Sequence, residues 1–306
     1  TRAPYVLGKP ETAFARGAQT LQDTTLGWRF INPKLAALYQ PFSMGETAEN
    51  VAERCHISRE EQDAFALRSQ QRAIAAMDAG RLAEEIVVVE APAGKGETVT
   101  VKDDEQPRRD SSLEKLAKLK PVFGGPEGTM TAANSTPLSD GASAVLLASE
   151  EWAKEHDLPV LAYITEAQTA AVDHVHKREG LLMAPAYAMP RMLDRAGLKL
   201  QDFDYYEIHE AFAAQVLCTL KAWEDKGFCS EKLGREKPLG AIDRKKLNVN
   251  GGSLAAAHPF AATGGRIVAS LAKQLHEDGK GRGVISICAA GGQGVVAILE
   301  APGGAK

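Results

Sequence analysis

The chain has 306 residues, a formal net charge of -4 at pH 7 and 44% hydrophobic residues. This length fits two domains or one large one, each with a buried core. The slight acidity gives no bulk charge that would favour a nucleic-acid or membrane surface. No apolar run is long enough to span a bilayer.

The cysteines and the first residues bear on the compartment. Four cysteines without Cys-x-x-Cys spacing favour a reducing, intracellular setting over a disulfide framework. The start, Thr1 to Tyr5, lacks a methionine, a charged segment and an apolar segment, so it does not resemble a signal peptide. We expect the sequence to begin inside a longer protein and not to be secreted.

The first half of the chain contains one clear helix. Ser58 and Glu61 have the spacing of a capping box, which predicts a helix from there to about Ala79, ended by Gly80. The segments that follow predict two strands, a short helix, a further strand and a further helix, in this order: 85–89, 97–101, 113–119, 143–148 and 150–155.

Strands and helices alternate from Pro159 onward. Such alternation predicts an α/β fold whose sheet has helices on both faces. The predicted strands are 160–165, 205–208, 284–288 and 295–300, the last two paired through a glycine turn. The predicted helices are 190–196, 210–223 and 261–275, with Gly197 ending the first.

One imidazole, His258, stands in a run of glycine, alanine and serine over residues 248–265. Small side chains let another group approach the backbone, and Pro259 fixes the chain direction. The helix predicted from 261 would place His258 near free backbone N–H groups, which favour developing negative charge. A lone histidine in such a loop is more often structural than catalytic.

Two further motifs accompany this stretch. Cys288 opens Cys-Ala-Ala-Gly-Gly-Gln-Gly after an apolar run, and His209 opens His-Glu-Ala-Phe after Tyr205-Tyr206. Together the three motifs resemble the thiolase family, most closely its branch of trifunctional-enzyme β-subunits. The resemblance implies a layered αβαβα core with a complete C-terminal half, an inserted loop domain and an incomplete N-terminal half.

The resemblance also implies a division of the chain. Residues 1–137 correspond to the CoA-binding loop domain. Residues 138–157 correspond to the last strand and helix of a truncated N-terminal core domain, and residues 158–306 to the C-terminal thiolase domain. The family's nucleophilic cysteine belongs upstream of residue 1, so we expect the chain alone to be inactive.

The four cysteines present do not match that nucleophile. Cys55 adjoins His56, but neighbouring residues rarely face each other. Cys218 falls in an apolar helix and fits a core position. Cys229 precedes a charged loop and fits an ordinary exposed or half-buried thiol.

The resemblance implies catalytic roles for five residues. His258 takes a thiol proton, a task suited to a pKa near ~6.5, and Cys288 acts as acid and base at the acetyl carbon with a locally lowered pKa. His209 fixes a water or donates to an oxyanion, and Glu210 positions that water. The backbone N–H of Ala290 serves as an oxyanion donor.

Seven more residues match positions that line the substrate or CoA tunnel in thiolases. Met44 has an alternative reading as a core residue at a helix N-terminus capped by Ser43 or Thr47. Thr136 also fits a turn, Phe123 and Met183 fit a core, and Arg108 fits a solvated charge. The predicted binding residues are Met44, Arg108, Phe123, Ala132, Thr136, Met183 and Phe212.

Two functions remain open from the sequence. The first is a 3-ketoacyl-CoA thiolase of fatty-acid β-oxidation, in bacterial cytoplasm or an organelle matrix. It would use CoA and acyl-CoA as substrates, need no cofactor or metal, form a homo-oligomer and dock a hydratase/dehydrogenase α-subunit. The second is a non-catalytic subunit that binds acyl-CoA or a partner. In either case we expect exposed apolar surface on the isolated chain.

Overall fold

The structure is a computed structural model that describes residues 3–10, 12–14, 16–176 and 179–304. Thr1 and Arg2, part of the segment judged unlike a signal peptide, lie outside the described residues. The α-helices are α1 (Pro33–Leu38), α2 (Met44–Cys55), α3 (Arg59–Asp78), α4 (Leu113–Ala117), α5 (Glu150–Glu155), α6 (Ala184–Ala196), α7 (Ala213–Glu224), α8 (Lys226–Glu231), α9 (Ser253–Ala256) and α10 (Thr263–Asp278). The strands are β1 (Tyr5–Leu7), β2 (Leu21–Asp23), β3 (Val89–Gly94), β4 (Glu97–Val101), β5 (Tyr163–Ala171), β6 (Tyr205–Ile208), β7 (Arg282–Ala289) and β8 (Gln293–Glu300).

A four-stranded sheet in the order β5-β8-β7-β6 organises the C-terminal half. Strands β6 and β7 run parallel, whereas β8 is antiparallel to both β7 and β5. Parallel neighbours bring their carboxyl ends to the same edge of a sheet, where α/β proteins build their sites. Residues that follow β6 and residues that end β7 therefore meet at one edge.

Helices cover both faces of this sheet, which confirms the predicted α/β class. Helix α10 packs one face through Ile267, Leu271 and Leu275 against Ile285 and Leu299. The opposite face carries the larger core, formed mainly by α6 and α7. Helices α2 and α3 then pack outside α7 and add a further layer.

The helix starts predicted by capping are confirmed. Ser58 accepts a bond from the Glu61 N–H, and the Glu61 carboxylate accepts one from the Ser58 N–H. Ser43 and Glu46 form a second capping box at α2, so the reading of Ser43 as a helix cap is also correct. Each box satisfies two backbone donors that the first turn leaves unpaired.

Helix α6 is longer than the sequence pattern suggested, because a proline interrupts that pattern. Pro190 lies inside the helix and has no N–H to give to the carbonyl of Ala186, one turn earlier. The indole Nε1–H of Trp223 donates to that carbonyl instead, over 3.4 Å. The helix begins at Ala184. Because the indole replaces the missing bond, the helix continues through Pro190 to its left-handed cap, Gly197.

The predicted strand at 143–148 is wrong. This segment is irregular, and Leu146 and Leu147 are 72% and 68% exposed. A strand needs a neighbour for its hydrogen bonds, and no strand of the described chain pairs with this one. The prediction of exposed apolar surface is confirmed here.

Other differences concern boundaries. Strand β3 begins at Val89, whereas the sequence predicted a strand over 85–89. Strand β5 begins at Tyr163, three residues after the predicted start at 160. Helix α7 begins at Ala213, three residues later than predicted. Strands β1 with β2 and β3 with β4 form two separate ribbons. Among the described residues, no helix is both long and apolar enough to cross a bilayer.

Candidate active site

Two of the three sequence motifs meet at the edge where β6 and β7 end. His209 directly follows β6, and its N–H donates to the carbonyl of Ser286 on β7 over 2.9 Å. Cys288 lies two residues further along β7. The parallel pairing thus brings the His209 and Cys288 segments side by side.

The third motif, residues 248–265, is held at the end of β6 by the buried side-chain amide of Asn248. Asn248 has a left-handed φ of 47° and accepts the Ile208 N–H at 2.8 Å through Oδ1. Its Nδ2 donates to the carbonyl of Ile208 at 2.9 Å and to Glu210 Oε1 at 2.6 Å. Both polar ends of the side chain are therefore used, which fixes the path of the loop toward His258.

Glu210 is a second fastening point, and it is 1% exposed. Its Oε2 accepts bonds from Ser69 Oγ at 2.6 Å and from the Leu254 N–H at 3.2 Å. Burial raises the pKa of Glu210, while the bonds from Ser69 and Asn248 oppose that rise. The carboxylate oxygens thus bind protein donors, and the role of positioning a water stays a prediction.

The loop passes so close to this carboxylate that only glycine fits. A Cβ placed on Gly252 would lie 2.3 Å from Glu210 Cδ, far inside contact distance. The neighbouring Gly251 has a φ of +81°, a conformation that glycine adopts without strain. The small residues of this motif therefore serve the close approach that the sequence predicted.

The two histidines of the site face each other. The rings of His209 and His258 have centroids 4.3 Å apart and are tilted by 49°. His209 is 2% exposed, and burial lowers its pKa well below its ordinary value near 6.5, assisted by His258 and Arg266. His209 therefore stays neutral at physiological pH.

A short chain of polar groups supports His209 from behind. Its Nδ1 lies 3.0 Å from Ser253 Oγ. Arg266 Nη2 donates to the same hydroxyl oxygen over 3.1 Å. Sequence reasoning missed both supporting residues, although Ser253 belongs to the motif that contains His258.

His258 sits between α9 and α10, after Ala257, whose φ is 63°. Its Nδ1 lies 2.6 Å from Thr263 Oγ1, and this hydroxyl lies 3.3 Å from the carbonyl of Pro259. Burial, and secondarily Arg266, lowers the pKa of His258. The ring lines an open cavity of about 450 Å³, so a neutral imidazole faces space that a substrate can enter.

Cys288 is 7% exposed and pairs with Gly294 across the final hairpin. Burial raises the pKa of its thiol to about 12. The pKa of this thiol is therefore raised and not lowered, because the strand end is enclosed by the core. Cys288 does not line the cavity at His258.

Sequence models of two domains match the chain. The thiolase N-terminal domain matches residues 2–151, and the thiolase C-terminal domain matches residues 158–301. The chain belongs to the thiolase family. No group of three or more potential metal ligands is found within the described ranges of this thiolase.

Relatives of this thiolase agree with that assignment. Over 300 residues it is 44% identical to a β-ketoadipyl-CoA thiolase of Acinetobacter baylyi, covering 98% of this chain and 70% of the relative. Over 270 residues it is 46% identical to a 3-ketoacyl-CoA thiolase of Shewanella pealeana, covering 88% of this chain and 61% of the relative. A crystal structure of human mitochondrial 3-ketoacyl-CoA thiolase in complex with CoA matches at 34% identity and a TM-score of 0.76, covering 98% and 68% of the two chains.

Two predicted binding residues of the thiolase lie at this site. The Thr136 N–H donates to the carbonyl of Ala211 at 3.1 Å, and Thr136 Oγ1 donates to the carbonyl of Ser253 at 2.9 Å. Ser135 pairs with Phe212 in a backbone bridge, and Phe212 is buried. Main-chain bonds thus join the segment around Thr136 to the loop that carries His209.

The other predicted site residues lie on separate segments of the chain. Met44 begins α2, and the Phe123 ring packs on the next residue, Gly45. Arg108 and Ala132 are exposed, and the Arg108 N–H donates to Gln70 Oε1 at 2.8 Å. Ala290 is exposed in the turn after β7.

Met183 is separated from this group. It is 6% exposed and lines a second cavity at the junction of α2 and α7, together with Cys55. Its side chain therefore packs in the core, as the alternative reading of the sequence has it. Its assignment as a substrate contact stays a prediction.

Proposed function

We propose that this chain forms the acid–base centre of a 3-ketoacyl-CoA thiolase of fatty-acid β-oxidation. This enzyme would cleave a 3-ketoacyl-CoA with CoA into acetyl-CoA and a shortened acyl-CoA. The observation that carries the proposal is the facing pair of His209 and His258, each held through Nδ1 by a hydroxyl. These contacts use Nδ1 of each ring and not Nε2.

The hydroxyl partners support opposite tautomers for the two rings. Arg266 only donates, so the Ser253 oxygen accepts from it and the Ser253 proton is available for His209 Nδ1. This arrangement puts the proton of neutral His209 on Nε2. His209 then acts as a hydrogen-bond donor to a thioester oxygen that gains negative charge.

For His258 the chain of bonds runs in the other direction. The Thr263 hydroxyl donates to the carbonyl of Pro259, so its oxygen can accept from His258 Nδ1–H. Every group in this chain is then satisfied, and Nε2 keeps a free electron pair. Because its pKa is lowered, His258 is neutral and able to take the proton of an attacking thiol.

In this proposal Cys288 supplies the proton that cleavage requires, so the substrate reaches past the cavity at His258 to the end of β7. When the bond between C2 and C3 of the substrate breaks, its electron pair goes to the carbon that becomes the methyl group of acetyl-CoA. A thiol with a pKa near about 12 is protonated at neutral pH and can give its proton to that carbon. His258 then deprotonates CoA, whose thiolate takes the acyl group.

The proposal extends to the substrates, the domains and the partners of the enzyme. CoA and the acyl-CoA act as substrates, without a resident cofactor. Residues 1–137 form the CoA-binding loop domain, 138–157 the end of an N-terminal core domain, and 158–306 the catalytic C-terminal domain. The enzyme forms a homo-oligomer and docks a hydratase/dehydrogenase α-subunit. It works in bacterial cytoplasm or an organelle matrix. The attacking cysteine outside residues 1–306 stays a prediction.

Thiolysis kinetics of an enzyme containing this chain test the proposal. We expect His258→Ala to lower kcat/KM by a factor of about 10² to 10⁴, the usual contribution of a general base. His209→Asn, which can still donate a hydrogen bond, should be less damaging than His209→Ala. Full activity of the His258→Ala variant would refute the proposal. Binding of CoA without thiolysis by the unsubstituted protein would favour the non-catalytic alternative.

A further inference from the structure

Two cysteines outside the proposed catalytic site meet at a second cavity. This cavity has a volume of about 380 Å³ and lies where α2 packs against α7. Cys55 ends α2, lines the cavity and is half-buried. Cys218 lies in α7 and is fully buried. The proposed thiolysis uses neither of them.

The two cysteines lie at one contact between helices. Cys218 Sγ donates to the carbonyl of Val51 at 3.3 Å, and Val51 is one helical turn before Cys55. Each thiol also shifts the pKa of the other, downward at Cys55 and upward at Cys218. A disulfide between them would therefore join residues that already lie where α2 packs against α7.

The surroundings distinguish the two sulfur atoms. The hydrogen bond from Cys218 lowers the pKa of Cys55, and the charges of Lys221 and Arg54 add to this effect against the opposing effect of burial. Lys221 Nζ also donates to the carbonyl of Cys55 at 2.5 Å, which holds the ammonium group beside it. The same bond and burial raise the pKa of Cys218. Cys55 lines the cavity and has an ammonium group beside it, whereas Cys218 is enclosed, so Cys55 is the attacking thiolate.

We propose that Cys55 and Cys218 form a thiol–disulfide site that a hydroperoxide oxidises. The Cys55 thiolate attacks the O–O bond of the peroxide, which releases an alkoxide or hydroxide and leaves a sulfenic acid on Cys55. The Cys218 sulfur then displaces the sulfenic oxygen, which leaves as water after taking the Cys218 proton. The two thiols lose two electrons, and the peroxide gains them.

This disulfide would connect two parts of the chain that are distant in sequence. Cys55 lies in the range matched by the thiolase N-terminal domain, and Cys218 lies in that of the C-terminal domain. The bond would close a loop of more than a hundred residues and restrict the unfolded chain accordingly. Oxidation should therefore raise the midpoint of thermal unfolding.

The other two cysteines provide internal comparisons. The expectation of an exposed or half-buried Cys229 is wrong: it is fully buried, and its Sγ contacts the carbonyls of Ala222 and Trp223 at 3.5 and 3.7 Å. Cys288 is buried at the end of β7, where its thiol stays protonated. Since a peroxide reacts with an accessible thiolate, both should react more slowly than Cys55.

The experiment treats the 306-residue chain with hydrogen peroxide, blocks the remaining thiols and identifies peptides by mass spectrometry. We expect a Cys55–Cys218 cross-link that dithiothreitol reverses and a higher unfolding midpoint in the oxidised sample. Cys218→Ser should give no cross-link and leave a sulfenic acid on Cys55 that dimedone traps. The matched variant Cys229→Ser should behave like the unsubstituted chain.

Three results would overturn the proposal. They are first oxidation at Cys288 or Cys229, over-oxidation of Cys55 without a cross-link, and a disulfide between two chains. A separate measurement avoids substitution altogether: iodoacetamide should label Cys55 with a half-maximal rate at a pH below that of an ordinary thiol. Labelling that requires a higher pH would contradict the assignment of Cys55 as the attacking thiolate.

Discussion

Glu207 makes the stability of this thiolase depend on pH. It lies on β6 and is 8% exposed, and burial, with Glu210 and Glu85 nearby, raises its pKa from 4.5 to about 8 against the effect of Arg266. The folded state therefore holds a proton that the unfolded state releases. A raised carboxyl pKa means that stability is lost as the pH rises from about 4.5 to about 8.

The window from pH 6.5 to 8 avoids the titration of His209. Below pH 6.5, buried His209 has the opposite slope, because its pKa is lowered in the folded state and acid favours unfolding. Within the window, Glu207 contributes about 1.4 kcal/mol per pH unit, which gives a loss of about 2 kcal/mol over one and a half units. Glu207→Gln keeps the shape and removes the titration.

Urea unfolding of both proteins at several pH values measures the difference. We expect the Gln variant to gain about 2 kcal/mol relative to the unsubstituted chain between pH 6.5 and 8. A difference between Glu207→Gln and the unsubstituted chain that is constant with pH would refute the reasoning.

Three further substitutions test the site. Thr263→Val removes the hydroxyl at His258 Nδ1 and should lower kcat about tenfold, equivalent to one hydrogen bond of about 1.4 kcal/mol. Thr263→Ser keeps a hydroxyl and should restore the rate. An unchanged rate in the Val variant would contradict the assigned tautomer. Ser253→Ala leaves buried polar partners unpaired and should lower the free energy of unfolding by about 1–3 kcal/mol, measured in urea. Gly252→Ala forces a Cβ against Glu210 and should lower that free energy by about 1–3 kcal/mol; a variant as stable as the parent would show that the loop can move away.

The sequence predicted the elements that carry the chemistry better than the groups that support it. His209 and Cys288 follow strands that apolar runs mark clearly, so their meeting at one sheet edge could be expected from parallel pairing. Ser253 and Arg266 act through the direction of their hydrogen bonds. Spacing along the chain does not encode that direction, so both residues were missed.

The errors have physical causes too. The apolar segment 143–148 has the composition of a strand, but strands depend on neighbours that composition does not reveal. The first half of α6 was not predicted, because Pro190 usually marks a helix start. The indole of Trp223, which replaces the missing bond, comes from a helix that is distant in the sequence. The pKa of Cys288 was expected to fall, yet burial, which a single motif does not show, raises it.

The bonds that join residues 134–136 to residues 211–213 run mostly between main-chain atoms. Such a seam depends on backbone shape and hardly at all on side-chain identity. Mutations can therefore accumulate on either side without loosening it. Grafting residues 2–151 of a diverged family member onto residues 158–301 of this one should therefore preserve these main-chain bonds, whereas side-chain bonds such as that from Ser69 to Glu210 would have to be kept by choice of sequence.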